Sequence, residues 1–214
     1  MVQENPKTLL QVLKIAKSNL KHNLLPLLLL SGMVTILTPI LFGTTALDKI
    51  AAAVPLEMMV STIGIILLVP VFWPEQNNEI AGVILSKYVS PVYVYLIRIA
   101  CSVLGIVFLV LMFSAYLSTR GCEITATLIF GTIADAMFLG SLGLVTSAVG
   151  SSLSASFMVS LLYYIINITA KDKLGSFNLF AMMSGNNKPN LWLFCASIGL
   201  IVVAVVVKSR HDMQ

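Results

Sequence analysis

Residues 74–90 read PEQNNEIAGVILSKYVS, a polar stretch between two long apolar segments. Its polar side chains share one side of a helical projection: Glu75, Gln76, Glu79, Ser86 and Lys87. The opposite side is mostly apolar. The stretch therefore predicts an amphipathic helix whose polar side faces water or a partner and whose apolar side rests on the membrane interface. The alternative is a solvated turn of helix that only joins two spans.

The composition of the whole chain points to lipid as its solvent. The 214 residues are 58% hydrophobic and only 10% charged, with a mean hydropathy of +0.96. A soluble domain of this size could not bury that much apolar surface. The net charge of +4 is scattered, and no basic run is dense enough to indicate a nucleic-acid partner. The prediction is an all-α integral membrane protein, with residues 1–214 forming a single transmembrane domain.

Six apolar segments are candidates for membrane crossings, at about 20 residues per crossing. They are residues 24–47, 54–73, 91–117, 124–146, 153–170 and 191–207. The loop between the last two reads KDKLGSFNLFAMMSGNNKPN from residue 171. It is too short to cross and too apolar to float free, so we expect an external re-entrant or surface-lying hairpin.

Charge distribution orients these spans. Residues 7–22 place lysines on one side of a helix and leucines on another, which predicts an amphipathic interfacial helix on an anionic leaflet. Four of its lysines lie just before the first span: Lys7, Lys14, Lys17 and Lys21. Six crossings and this lysine excess predict cytoplasmic termini in a multi-pass protein. The amphipathic helix of residues 74–90 is then cytoplasmic as well.

The chain resembles the transmembrane subunits of type 2 ABC exporters in four features: the interfacial N-terminal helix, the acidic PEQNNE helix followed by SKYVSPVYVYLIR, the Gly/Ser turn from Gly150 and the hairpin. Within that family it is most similar to the small bacterial permeases for peptide or bacteriocin export, or for self-immunity. The resemblance implies ATP-driven export of a peptide or other amphipathic substrate across the bacterial cytoplasmic membrane. It also implies a partner nucleotide-binding ATPase subunit and a second permease subunit, as a homodimer or heterodimer.

In this family the helix between spans two and three is a coupling helix that transmits motion from the ATPase. Glu75, Gln76, Glu79, Ser86 and Lys87 are the corresponding residues here. The sequence contains no Gly-x-x-x-x-Gly-Lys-Ser/Thr loop. We therefore expect no cofactor in this chain, with ATP and Mg bound by the partner.

Polar residues inside the spans are candidates for the substrate pathway. Asp135 lies near the centre of the fourth span, where an ionisable group costs at least about 2.5 kcal/mol against lipid, so it should face the bundle or a wet cavity. It is either a counter-charge for a cationic substrate, a proton site, or a structural acid. Asn167 in the fifth span is a weaker case of the same kind. Gly140, Gly143 and Ser147 predict close helix packing, most simply in a dimer.

Enzymatic chemistry has little support, because we identify no nucleophile elbow and expect no intramembrane pair of carboxylates. Cys101, Cys122 and Cys195 form no metal-binding motif, although Cys122 and Cys195 could pair. Two other functions stay open: a six-span substrate-capture subunit, and a membrane immunity protein that binds a toxin without pumping it.

Overall fold

The computed structural model describes residues 23–76, 91–150, 152–169, 173–186 and 188–211. These ranges are helical, and they contain no strand. The α-helices are, in chain order, α1 (Leu25–Phe42), α2 (Lys49–Met58), α3 (Ile63–Leu68), α4 (Pro91–Thr119), α5 (Ala126–Gly150), α6 (Leu153–Thr169) and α7 (Lys188–His211). Short 3-10 segments lie at Val60–Thr62, Val69–Gln76, Gly175–Phe177 and Met182–Ser184. The predicted interfacial helix at 7–22 lies outside the described residues.

Five helical segments are long and apolar enough to cross a membrane: Leu25–Phe42, Lys49–Pro74, Val92–Thr119, Ala126–Gly150 and Lys188–Arg210. The fifth predicted span also forms a helix, α6, but at 17 residues it is shorter than these. The expected all-helical fold is therefore confirmed, and its apolar helices fit a transmembrane protein. The number of crossings, six, stays a prediction.

The side chains of α1 are distributed as expected for a helix that faces lipid. Its fully buried residues are small and polar, as at Ser31 and Thr38. Large apolar residues point outward instead, with Met33 69% exposed and Ile40 75% exposed. In water this arrangement would be unfavourable, whereas in a bilayer lipid tails cover the outer face and the inner face packs closely through small residues. The outer face of α1 is therefore a lipid-facing surface.

The centre of the bundle is made by the second apolar segment and α5. In the most apolar 18-residue stretch of each, 72% of the residues are buried, whereas in α1 only 17% are buried. The two cross where Gly64 faces Ala136 and Gly140, so closely that a Cβ added at Gly64 would overlap the carbonyl oxygen of Ala136. Gly143 likewise meets Val69 and Ser160 of the same chain. The predicted use of these glycines in a dimer is therefore wrong, because they pack against helices within one chain.

Several helix boundaries differ from the predicted ones. The first span ends at Phe42 rather than residue 47. The second begins at Lys49 rather than Val54, because the Asp48 side chain accepts a hydrogen bond from Ala51 N at 3.0 Å and caps a helix there. The last helix runs over Lys188–His211, beyond the predicted 191–207 at both ends.

The loops after α1 and α4 lie at the same end of the bundle. Ala46 N donates to Arg120 O at 3.1 Å, and Glu123 N donates to Leu47 O at 2.9 Å. Cys122 Sγ donates to Thr44 O in the same region. Cys122 is buried there as a free thiol, and Cys195 is free and exposed, so the two do not form a disulfide.

The second apolar segment is not a continuous α-helix. Between α2 and α3 the pattern tightens to 3-10, and Thr62 N bonds Met59 O at 3.2 Å instead of the carbonyl of Met58. The Met58 carbonyl then lacks its helical donor, which is costly inside a membrane. Tyr164 of α6 supplies the missing donor, since its hydroxyl bonds Met58 O at 2.5 Å. The break is thus stabilised from another helix.

Replacing Gly64 with alanine tests the central crossing. The added methyl group would meet backbone rather than a flexible side chain, so we expect Gly64→Ala to lower the free energy of unfolding by about 1–3 kcal/mol. Denaturant titration of the protein in detergent, followed by circular dichroism, measures the change. Gly32→Ala is the matched control because the space around Gly32 is open. Equal stability of the two variants would contradict the close crossing.

Candidate functional site

A buried glutamate on α2 holds the segment between α6 and α7, residues 173–186, which we call the hairpin. Glu57 is fully buried. Its Oε1 accepts a hydrogen bond from Met182 N at 2.7 Å, and its Oε2 accepts one from Met183 N at 2.9 Å. These N–H groups open the 3-10 turn Met182–Ser184 and would otherwise lack partners. Each carboxylate oxygen thus receives one charge-assisted hydrogen bond.

Two side chains of α6 hold the preceding part of the hairpin. Asn167 Oδ1 accepts from Leu179 N at 2.9 Å, and its Nδ2 donates to Tyr163 O at 3.1 Å. The Tyr163 hydroxyl donates to Phe177 O at 2.7 Å. Leu179, Phe180, Ala181 and Met182 are all buried. This segment is therefore bound to the bundle through polar contacts as well as through its apolar side chains.

Asp135 lies on α5 near this contact and is enclosed by protein. Its side chain is fully buried, and among the described residues neither carboxyl oxygen has a hydrogen-bond partner. Gly131, one turn earlier on the same face, packs against Met182 and Asn190 Nδ2 so closely that a Cβ there would overlap both. Glu57 interacts with Asp135 electrostatically. Asp135 thus belongs to one interior polar cluster with Glu57.

The expectation that the spans hold no pair of carboxylates is wrong. The predicted second span, 54–73, puts Glu57 at the membrane edge. The helix begins at Lys49, so Glu57 lies more than two turns inside the helix, where it is fully buried in the bundle. The acid among apolar residues just after Pro55 was the signal in the sequence that could have identified it.

The predicted coupling residues cannot be compared with the structure. Glu79, Ser86 and Lys87 lie outside the described residues, as do the side chains of Glu75 and Gln76. The backbone up to Gln76 is described and ends in the 3-10 segment Val69–Gln76. Among the described residues, no group of three or more His, Cys, Asp or Glu side chains could hold a metal ion.

A second polar feature lies away from the hairpin. A small open cleft is lined by Asn23, Leu24, Leu27, Leu67, Pro70, Val71, Pro74, Arg98 and Ser102. Arg98 is buried, and its Nη1 donates to Val71 O at 3.4 Å. Pro74 has no N–H to offer this carbonyl in the 3-10 pattern. Arg98 therefore helps to satisfy the broken backbone of the second segment.

Comparisons with protein-family models, with curated proteins and with solved structures found no match for this chain.

Replacing Glu57 with glutamine tests how the hairpin is held. Glutamine keeps one acceptor oxygen but places an amide NH₂ group against a backbone N–H, so a charge-assisted hydrogen bond is lost. We expect Glu57→Gln to speed amide hydrogen exchange at Met182 and Met183 by roughly tenfold to a hundredfold. Mass spectrometry of fragments that cover residues 179–186 measures this exchange.

Glu123→Gln is the matched control, because Glu123 is exposed in the loop after α4. Exchange in fragments from α5 serves as the internal reference for global unfolding. Unchanged exchange at Met182 and Met183 in Glu57→Gln would show that the carboxylate does not hold the hairpin.

Proposed function

We propose that this chain is the membrane-spanning subunit of an ATP-driven ABC transporter of the type 2 exporter class. ATP would be hydrolysed by a separate nucleotide-binding subunit. The cargo would be a peptide or another amphipathic molecule, and a second permease subunit would complete the pathway. The support combines the sequence resemblance with the position at which residues 77–90 join the bundle.

That position is the observation that carries the proposal. The loops that follow α1 and α4 are hydrogen-bonded to each other, and we call them the paired loops. The Lys49–Pro74 segment starts beside the paired loops, and α4 ends beside them. Gln76 and Pro91 therefore lie towards the opposite end of the bundle, away from the hairpin. We propose that a soluble motor binds the polar, acidic stretch that connects these two helices at that end. Closure of the motor could move both helices through it.

The hairpin end supplies the second element that a transporter needs, a gate. The hairpin is held by hydrogen bonds to Glu57 and Asn167, and Glu57 interacts electrostatically with Asp135. We propose that Asp135 and Asn167 border the substrate pathway when this end is open. The crossing at Gly64 and Ala136 is close-packed, which favours a pathway between two permease subunits over one through a single chain.

The six-crossing topology is part of the same proposal, with α6 as the short crossing. At 17 residues, α6 is close to the lower limit for a span. Its C-terminal end leads into the hairpin, which contacts α2 near the paired loops. Its N-terminal end follows α5, which starts at those loops. Six crossings would place both termini on the cytoplasmic side of the bacterial membrane, where the lysines of residues 7–22 favour them.

A pull-down from the native membrane tests the assignment. We expect the detergent-solubilised wild type to co-purify with a soluble ATPase. The double variant Glu75→Lys/Glu79→Lys should recover at least about tenfold less, because reversing two charges opposes a complementary partner surface. Mass spectrometry identifies and quantifies the partner.

Glu123→Lys is the control, since it makes the same type of substitution once, on the exposed loop at the other end of the bundle. It should recover the ATPase as well as the wild type does. All variants are first compared by size-exclusion chromatography, so that loss of fold is distinguished from loss of binding. Failure of the wild type to recover any ATPase would overturn the transporter assignment.

A further inference from the structure

Asp135 has an environment unlike that of any other acid in the described part of the chain. It is fully buried, and both of its carboxyl oxygens lack hydrogen-bond partners. The titratable groups that interact with it electrostatically are Glu57 of α2 and Tyr163 of α6. From α7, the nearby polar residue is Asn190, which does not titrate. No described cation is among these neighbours, so nothing on these helices balances a negative charge at Asp135.

The two carboxyl groups differ in what stabilises them. Glu57 accepts two backbone N–H groups, a pattern that favours the charged form of a carboxylate. Asp135 accepts none. Two interacting carboxylates in a site shielded from water do not both stay charged, and one proton is bound by the pair. The contacts assign that proton to Asp135.

The packing also limits what can neutralise Asp135. A metal ion or an organic amine needs space and several oxygen ligands. At the neighbouring turn of α5, a Cβ added at Gly131 would overlap Asn190 Nδ2 and Met182 Sδ, so these side chains would have to move to make room. A proton needs no added volume. The close packing therefore favours a proton over a larger cation.

We propose that Asp135 is a proton-binding site, neutral at neutral pH beside an anionic Glu57 that two backbone N–H groups stabilise. This inference does not depend on an ATPase partner.

Infrared spectroscopy of the full-length protein in lipid nanodiscs at neutral pH tests the site directly. A protonated carboxyl group has a carbonyl stretching band separate from those of carboxylates and amides. We expect one such band in the wild type, shifted to lower frequency when the protein is made with aspartate labelled with ¹³C at the carboxyl carbon. Labelled glutamate should leave the band unchanged. Because labelling alters no side chain, this result is independent of whether a variant folds.

Variants add a second measurement. Asp135→Asn, which is close in size and uncharged, should remove the band, whereas Asp48→Asn, at the exposed cap of α2, should retain it. A band that shifts with labelled glutamate would place the proton on Glu57 and overturn the assignment. The absence of a protonated carboxyl band at neutral pH would overturn it too. The pull-down result for the ATPase has no bearing on either outcome.

Discussion

The contact between the Glu57 carboxylate and the N–H groups of Met182 and Met183 is the interaction on which this structure depends most. It joins residues 125 and 126 positions apart in the sequence. Charged groups are rarely stable within a membrane bundle unless they are paired or hydrogen-bonded. Here two backbone donors, left free by the start of a 3-10 turn, satisfy the charge. The segment between α6 and α7 is therefore bound to α2 through a polar contact that water would weaken.

Elsewhere in the bundle, several backbone carbonyls also accept hydrogen bonds from side chains of other helices. Where the second segment breaks, Tyr164 supplies a donor to the Met58 carbonyl, and Arg98 does so for Val71. Ser160 Oγ of α6 donates to Leu139 O of α5 at 2.9 Å. Each polar contact links different helices. Shape and polarity together thus fix how the helices pack, since apolar contacts alone discriminate weakly between one helix and another in lipid.

Sequence alone predicted the helical membrane class, because apolar length and low charge are averages over many residues. It also indicated that the segment between α6 and α7 is neither a span nor a solvated loop, because its polarity is mixed. That this segment is an external hairpin stays a prediction. Sequence alone missed the contact that holds the hairpin, because pairing between Glu57 and Met182 depends on three-dimensional packing rather than on local pattern. The glycines of α5 predicted close contact correctly but with the wrong partner. A spacing of small residues specifies that a neighbour approaches, and leaves open which neighbour it is.

The distance along the chain between the halves of these contacts has a consequence for biogenesis. When the ribosome has delivered the first two apolar segments to the bilayer, Glu57 and the Met58 carbonyl have none of the partners that α6 and the hairpin provide. Tyr164 follows 106 residues after Met58, and Met182 follows later still. The early segments therefore need other hydrogen-bond partners for these groups, from water or from the translocon, until the C-terminal half is inserted. Completion of the chain, rather than insertion of each helix in turn, is then the step that commits this protein to its final shape.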